Sequence, residues 1–320
     1  VKLIHLTHPH QMKTDEAEPA VMALGYFDGV HLGHQKVIQT AKKIAADCGF
    51  KSSVMTFHPH PSVVLGKKEA HVEYITPLQA KARILEQMDI DTLYVVKFDE
   101  AFASLLPQQF VDDYIIRLNV KHVVAGFDFT YGRLGKGTME TLPFHARGEF
   151  TQTMIEKVEL HEEKVSSTLL RKMIREGRMK DIPSVLGRFY TVEGIVVHGD
   201  KRGRQIGFPT ANIEAVDAYI LPPTGVYAVR MKVNGTWHDG VCNVGYKPTF
   251  QKDEKKLSVE VHLFEFQEDI YGKHVTIEWH LRIREEKKFN GIDELVTQIS
   301  KDKKTAEQYF QEQQEQTCFF

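Results

Sequence analysis

GYFDGVHLGH (residues 25–34) decides the fold of the first half of this 320-residue chain. A short apolar run at 21–24 feeds directly into it. Beyond it, Val37, Ala41, Ile44 and Ala45 recur at helical spacing, and Gly49 is placed to take a left-handed stop. A buried strand that passes through a glycine-rich turn into a helix is the opening unit of a parallel sheet with crossover helices. The glycines let backbone approach a phosphate, the helix start attracts the anion, and His31 and His34 are delivered beside it. Two imidazoles at this spacing can donate hydrogen bonds to α-phosphate oxygens and to the oxygen that leaves with pyrophosphate, with no covalent intermediate. An isolated H-x-G-H string is equally well read as a helix cap, and no third ligand nearby supports a metal.

Working outward, strand patterns at 52–57, 93–96 and 122–125 alternate with two helix starts. Thr76-Pro77 precedes Leu78, Ala82 and Leu85 on one face, and Pro107 precedes Phe110, Val111, Tyr114, Ile115 and Leu118. The order is β-α-β-α-β. Ser166, Ser167 and Thr168 cap a further helix that runs to Glu176 and stops at Gly177. After a short helix near 181–186 the period changes from helical to alternating, which sets a domain boundary between 1–184 and 185–320. Strands are expected at 189–198, 225–233, 237–243, 257–266 and 274–284, with Asn234-Gly235 as a two-residue hairpin turn. The fold class is therefore α/β plus β: a Rossmann-like domain, then a small closed antiparallel barrel. Residues 292–311 form an amphipathic helix whose Leu295, Ile299, Ala306 and Phe310 pack on the barrel, and the Gln/Glu-rich last dozen residues are expected to fray.

A formal charge of −2 gives no global drive towards nucleic acid or an anionic membrane. The three cysteines, Cys48, Cys242 and Cys318, are odd in number and lack metal-type spacing, which fits reduced thiols in the cytoplasm. No apolar run approaches a membrane span.

Local phosphate chemistry has further candidates. VSSTLLR (165–171) places three hydroxyls at a helix start between Lys164 and Arg171, suited to the outer phosphates of a nucleotide triphosphate or simply an ordinary cap. GFDFTYG (126–132) follows a strand at the carboxyl edge of the sheet and offers Asp128, and TFHPHP (56–61) ends another strand at that edge. In GDKRGRQIGFPTAN (199–212), Gly199, Gly203 and Gly207 free backbone N–H groups, and Lys201, Arg202 and Arg204 add charge. Pro209 stiffens the turn before Thr210 and Asn212, two hard oxygen ligands for a Mg²⁺ otherwise held by phosphates and water. A flexible surface loop is the competing reading of this stretch. In LSVEVHLF (257–264), alternation puts Glu260 and His262 opposite Val259, Val261 and Leu263. Glu260 is the candidate base for a primary alcohol that must lose its proton as a γ-phosphate arrives, although a glutamate on a polar strand face is commonly only solvated.

The ordered set GYFDGVHLGH, TFHPHP, GFDFTYG and VSSTLLR resembles the nucleotidyltransferase half of the bacterial bifunctional riboflavin kinase/FMN adenylyltransferases, or FAD synthetases. PTAN, the V-E-V-H strand, DIYGK (269–273) and IREEKKF (283–289) are similar to the riboflavin kinase module of that family, a six-stranded antiparallel barrel. The resemblance implies phosphorylation of riboflavin to FMN and adenylation of FMN to FAD, with ATP as co-substrate and Mg²⁺ as cofactor. It implies Glu260, His31 and His34 as catalytic residues. Nucleotide contacts fall to Gly25, Phe27, Asp128, Lys164, Ser167, Thr168 and Arg171 in the first half, and to Gly199, Lys201, Gly207, Pro209, Thr210 and Asn212 in the second. Asp28, His58, Arg284 and Phe289 would meet flavin, and Thr210 and Asn212 the metal. Expected partners are riboflavin, FMN, FAD and ATP, without nucleic acid or membrane, and with weak homo-oligomers left open. Two rivals stand: another H-x-G-H nucleotidyltransferase, against which the absence of a K-M-S-K-S string weighs, and a flavin-binding regulator with degenerate sites.

Overall fold

Residues 20–24, AVMAL, are buried on both sides of the sheet, as a central parallel strand must be. In the computed structural model, which describes residues 1–66, 72–160, 162–199, 202–247 and 256–317, the chain divides into two compact units, Val1–Ser167 and Thr168–Phe320. The first is built on a six-stranded sheet ordered Lys2–Leu6, Thr92–Lys97, Lys51–His58, Ala20–Leu24, Val120–Gly126, Thr151–Ile155. Every pair is parallel. From Ala20–Leu24 the chain steps outward through Lys51–His58 and Thr92–Lys97, then returns to the other side of Ala20–Leu24 as Val120–Gly126. The order reverses between these two neighbours, the place where open parallel sheets leave a crevice at their carboxyl ends.

Alternation along the central strand feeds two cores. Val21 and Ala23 pack with Val37, Ile38 and Ala41 of the helix Leu32–Cys48 and with Leu85 of the helix Leu78–Gln87. Met22 and Leu24 pack on the opposite face with Phe110, Tyr114 and Leu118. The helix after the glycine-rich turn begins at Leu32, earlier than its apolar period, because the His31 side chain caps it; Gly49 ends it at φ 69°. Two strands of this sheet go beyond the expected set, Lys2–Leu6 and Thr151–Ile155. Both lie at sheet edges with mostly exposed or half-exposed residues, so neither carries the continuous apolar run of a central strand.

The second unit is a closed barrel of six antiparallel strands: Tyr190–Val197, Ala211–Ala215, Lys256–Leu263, Thr236–Lys247, Gly225–Val233 and His274–Arg284. Trp279, Tyr190 and Tyr227 fill its interior, and the two tyrosine hydroxyls donate to the carbonyls of Ile220 and Pro223. Asn234 and Gly235 both have positive φ, the hairpin geometry their sequence calls for. The final helix, Ile292–Thr317, buries Ala306 and Phe310 and runs on through Thr317, past the start of the expected fraying.

Candidate functional site

The first site grows from the turn that leaves Ala20–Leu24 at the strand-order reversal. Phe27, Gly29 and Val30 have φ of 54°, 88° and 44°, so residues 27–30 curl through left-handed backbone that a valine adopts only under strain. The curl presents His31 as the cap of the following helix, its Nδ1 accepting from the His34 N–H at 3.2 Å. In that bond Nδ1 is the acceptor, which leaves Nε2 as the donor nitrogen of the His31 ring. The two imidazoles stack at 3.5 Å, and Phe27 meets His34 edge-on at 5.2 Å. Burial first, then the repulsion from His31 whenever that ring is protonated and from the Lys81 and Lys164 ammoniums, hold the His34 pKa well below its ordinary value. The His34 ring is thus held neutral, and the His31 ring offers Nε2 as a donor. His34 Nδ1 is buried with no hydrogen-bond partner among the described residues.

Around this pair the other expected residues fall at different distances from solvent. Asp28 is 2% exposed and accepts from the N–H groups of Ile75 and Thr76, both at 3.0 Å, so its carboxylate anchors the turn. Its carbonyl accepts from Ser167 Oγ at 2.8 Å; Thr168 and Arg171 follow in sequence in the helix Ser167–Glu176. Asp128 and Lys164 pair at 2.6 Å, both half exposed, and the Lys164 ammonium also lies 4.7 Å from the centre of the Phe127 ring. Gly25 begins the turn, its N–H donating to Met55 O. His58 is exposed at the end of its strand, with its ring 6.1 Å from Tyr74. Sequence reasoning missed Lys81. It is 4% exposed, and its ammonium donates to Tyr26 O at 2.7 Å and Thr56 Oγ1 at 3.0 Å.

The second site is written across strands. Asn212 on Ala211–Ala215 stands in register with Glu260 on Lys256–Leu263, and Glu260 in turn with Asn243 on Thr236–Lys247. Directly paired residues share a sheet face, so the carboxylate is flanked by two amides, of which Asn243 was not foreseen. His262 Nδ1 lies 2.8 Å from Pro209 O and ties the PTAN segment to the same strand, while burial lowers the His262 pKa. A Cβ on Gly199 would fall within van der Waals overlap of the Asn212 amide, so glycine there leaves room for that side chain. Gly207 turns at φ 86°. Thr210, Pro209 and Arg204 line a cavity of about 300 Å³, with Val261, Ile270 and Tyr271 forming part of its apolar wall. Lys201 lies outside the described residues. The Arg284 guanidinium is engaged by Asp302 of the final helix at 2.8–3.0 Å and lies 5.7 Å from the Phe289 ring. Cys242 is buried, which raises its thiol pKa, and Cys48 is exposed. Cys318 lies outside the described residues.

Comparison with known proteins matches two family models in succession along the chain. A FAD synthetase family model matches residues 13–169, and a riboflavin kinase family model matches residues 186–310. The bifunctional riboflavin kinase/FMN adenylyltransferase of Bacillus subtilis is 56% identical over 311 residues, 97% of this chain and 98% of that protein. The corresponding Listeria monocytogenes protein is 47% identical over 312 residues, again 97% of this chain and 98% of its own length. A crystal structure from Streptococcus pneumoniae, described as a macrolide-efflux protein, aligns with TM-score 0.86 and 34% identity over 94% of this chain and 97% of that one. That description names a transport process, and the likeness carries the fold. Among the described residues, no helix is long and apolar enough to cross a membrane. With both family models matched in chain order and relatives alike over nearly their whole length, the chain belongs to the bifunctional riboflavin kinase/FMN adenylyltransferase family.

Proposed function

We propose that residues 185–320 phosphorylate riboflavin with ATP, and that residues 1–184 then adenylate the FMN with a second ATP. The kinase assignment rests on one observation above all: Glu260 stands in register between Asn212 and Asn243, with the carboxylate flanked by two amides. Glu260 accepts the proton of the ribityl 5′-hydroxyl as its oxygen bonds to the γ-phosphorus and the bond to ADP breaks. Among the described residues there is no cluster of three or more His, Cys, Asp or Glu side chains able to hold a metal. Thr210 and Asn212 nevertheless fit Mg²⁺, which keeps much of its shell in water and phosphate oxygen and asks little of the protein. When bound, the ion neutralises charge on the triphosphate.

In the adenylyl step an FMN phosphate oxygen attacks the α-phosphorus of ATP, and the bond to pyrophosphate breaks. His31 Nε2–H and the neutral His34 ring donate to oxygens on which charge grows, the strained turn presents backbone N–H groups, and Lys164 counters the departing pyrophosphate. The protein works in the cytoplasm, with no nucleic-acid or membrane partner. FMN leaves one site and rebinds at the other. Incubation with riboflavin and Mg-ATP, followed by chromatography, should show FMN first and FAD after it. Unchanged riboflavin after prolonged incubation would return the chain to the flavin-binding regulator reading.

A further inference from the structure

Lys81 is the one lysine among the buried polar and charged residues of the described chain, and it sits beneath the adenylyl-transfer turn. Its ammonium joins three elements: its own helix Leu78–Gln87, Tyr26 in the turn, and Thr56 on Lys51–His58. Thr56 Oγ1 also donates to Tyr26 O, at 2.8 Å, so that carbonyl accepts twice. The Tyr26 ring lies 4.8 Å from the ammonium. Asp28, two residues on, is pinned by the amides of Ile75 and Thr76, just ahead of the same helix. The entry side of the strained turn is therefore held at two points from one side, by an anion on the turn and a cation under it. Packing alone does not call for a charge here, because a methionine would fill similar space without the cost of burying an ammonium.

We propose that Lys81 is a positioning residue for adenylyl transfer. Its buried ammonium holds the Tyr26 carbonyl, and with it the curl that aims His31 and His34, in the conformation that accepts the ATP phosphates. Its charge adds to the attraction for the triphosphate at the start of the helix Leu32–Cys48. The proposal rests on the assignment of adenylyl transfer to the first half of the chain. The charged and titratable groups that face Lys81 are Asp28 on the turn, which favours the ammonium, Tyr26 beside it, and His34 on the following helix. Burial brings the Lys81 pKa down to about 8, so its proton is lost within a range where enzyme assays are practical.

The test is steady-state FMN adenylation by the full chain and by Lys81→Met, with riboflavin phosphorylation by the same preparations as internal reference. Lys81→Met should lower kcat/KM for ATP at pH 7 on the order of 10–100-fold, as loss of a charge-assisted hydrogen bond does, while the kinase rate is unchanged. The wild-type kcat/KM, which reports the free enzyme, should fall as pH rises through about 8, and the methionine variant should lack that limb. In kcat the limb should move to higher pH, because bound triphosphate retains the proton. A variant that adenylates within about twofold of wild type overturns the proposal. So does a wild-type kcat/KM that stays flat from pH 7 to beyond the ordinary lysine value of 10.5, a result that stands even if the variant folds poorly. Wild-type protein unable to adenylate FMN at all would instead refute the assignment of the domain.

Discussion

The two sites are positioned by different means. In the first unit, both imidazoles come from one turn of ten residues, held by a cap bond, left-handed backbone and an anchoring pair in Asp28 and Lys81. In the barrel, Asn212, Glu260 and Asn243 come from three strands and meet only because antiparallel register sets them opposite one another. A turn-built site stores its precision in backbone conformation. A strand-built site stores it in pairing, so single side chains can change with the frame intact.

The sharpest break in the comparison is Glu260→Gln. Amide for carboxylate keeps the shape, and riboflavin phosphorylation should fall by about 10²–10⁴-fold while supplied FMN is adenylated at the wild-type rate. Chromatography of both reactions checks it, and normal kinase turnover would remove Glu260 from its role. Next in size, His31→Ala with His34→Ala should cut FAD formation by about 10²–10³-fold and leave FMN accumulating. Loss of both activities in folded protein would contradict separate sites.

Much of this was legible in the chain because it is local. The H-x-G-H turn, its strand and its helix are contiguous, and the alternation around Glu260 gave the correct face. What was not legible is non-local. Asn243 is seventeen residues before Glu260 and meets it only through strand pairing. The Asp128–Lys164 pair spans 36 residues. Lys81 stands three residues after Leu78 on the inward side of its helix, but a lysine in a helical pattern reads as solvent-facing, and it is the Tyr26 carbonyl, the Thr56 hydroxyl and the Asp28 charge that make its burial tolerable. Arg284 was expected at the flavin, and its bond to Asp302 depends on a helix eighteen residues on. The two edge strands went unseen because half-exposed strands lack the apolar run that marks the central ones.

Two smaller effects sharpen the contrast. Gly199→Ala forces a methyl against the Asn212 amide, and kinase activity should fall about 10-fold with adenylation untouched, since a displaced ligand costs less than a lost base. Equal kinase rates would show that Asn212 has room to move. The last concerns stability of the first unit. Lys81 has a pKa of about 8 when folded, below its ordinary 10.5, so below pH 8 it is charged in both states and the burial penalty is full. Between about 8 and 10.5 the unfolded chain holds more protons, and stability rises with pH. Lys81→Met should therefore be more stable than wild type at pH 7, on the order of 1–3 kcal/mol, with the gain shrinking as pH climbs towards 10.5. Denaturant titrations at several pH values measure it, and a gain that grows with pH would reverse the sign.

Separate, independently built sites are tested most directly by mixing. Glu260→Gln and His31→Ala/His34→Ala are combined in one vessel with riboflavin and Mg-ATP, and FAD is followed over time. The mixture should form FAD, through free FMN, although neither variant alone does so from riboflavin. A mixture that stays without FAD, while each variant keeps its own half-reaction, would contradict free exchange between two self-sufficient centres.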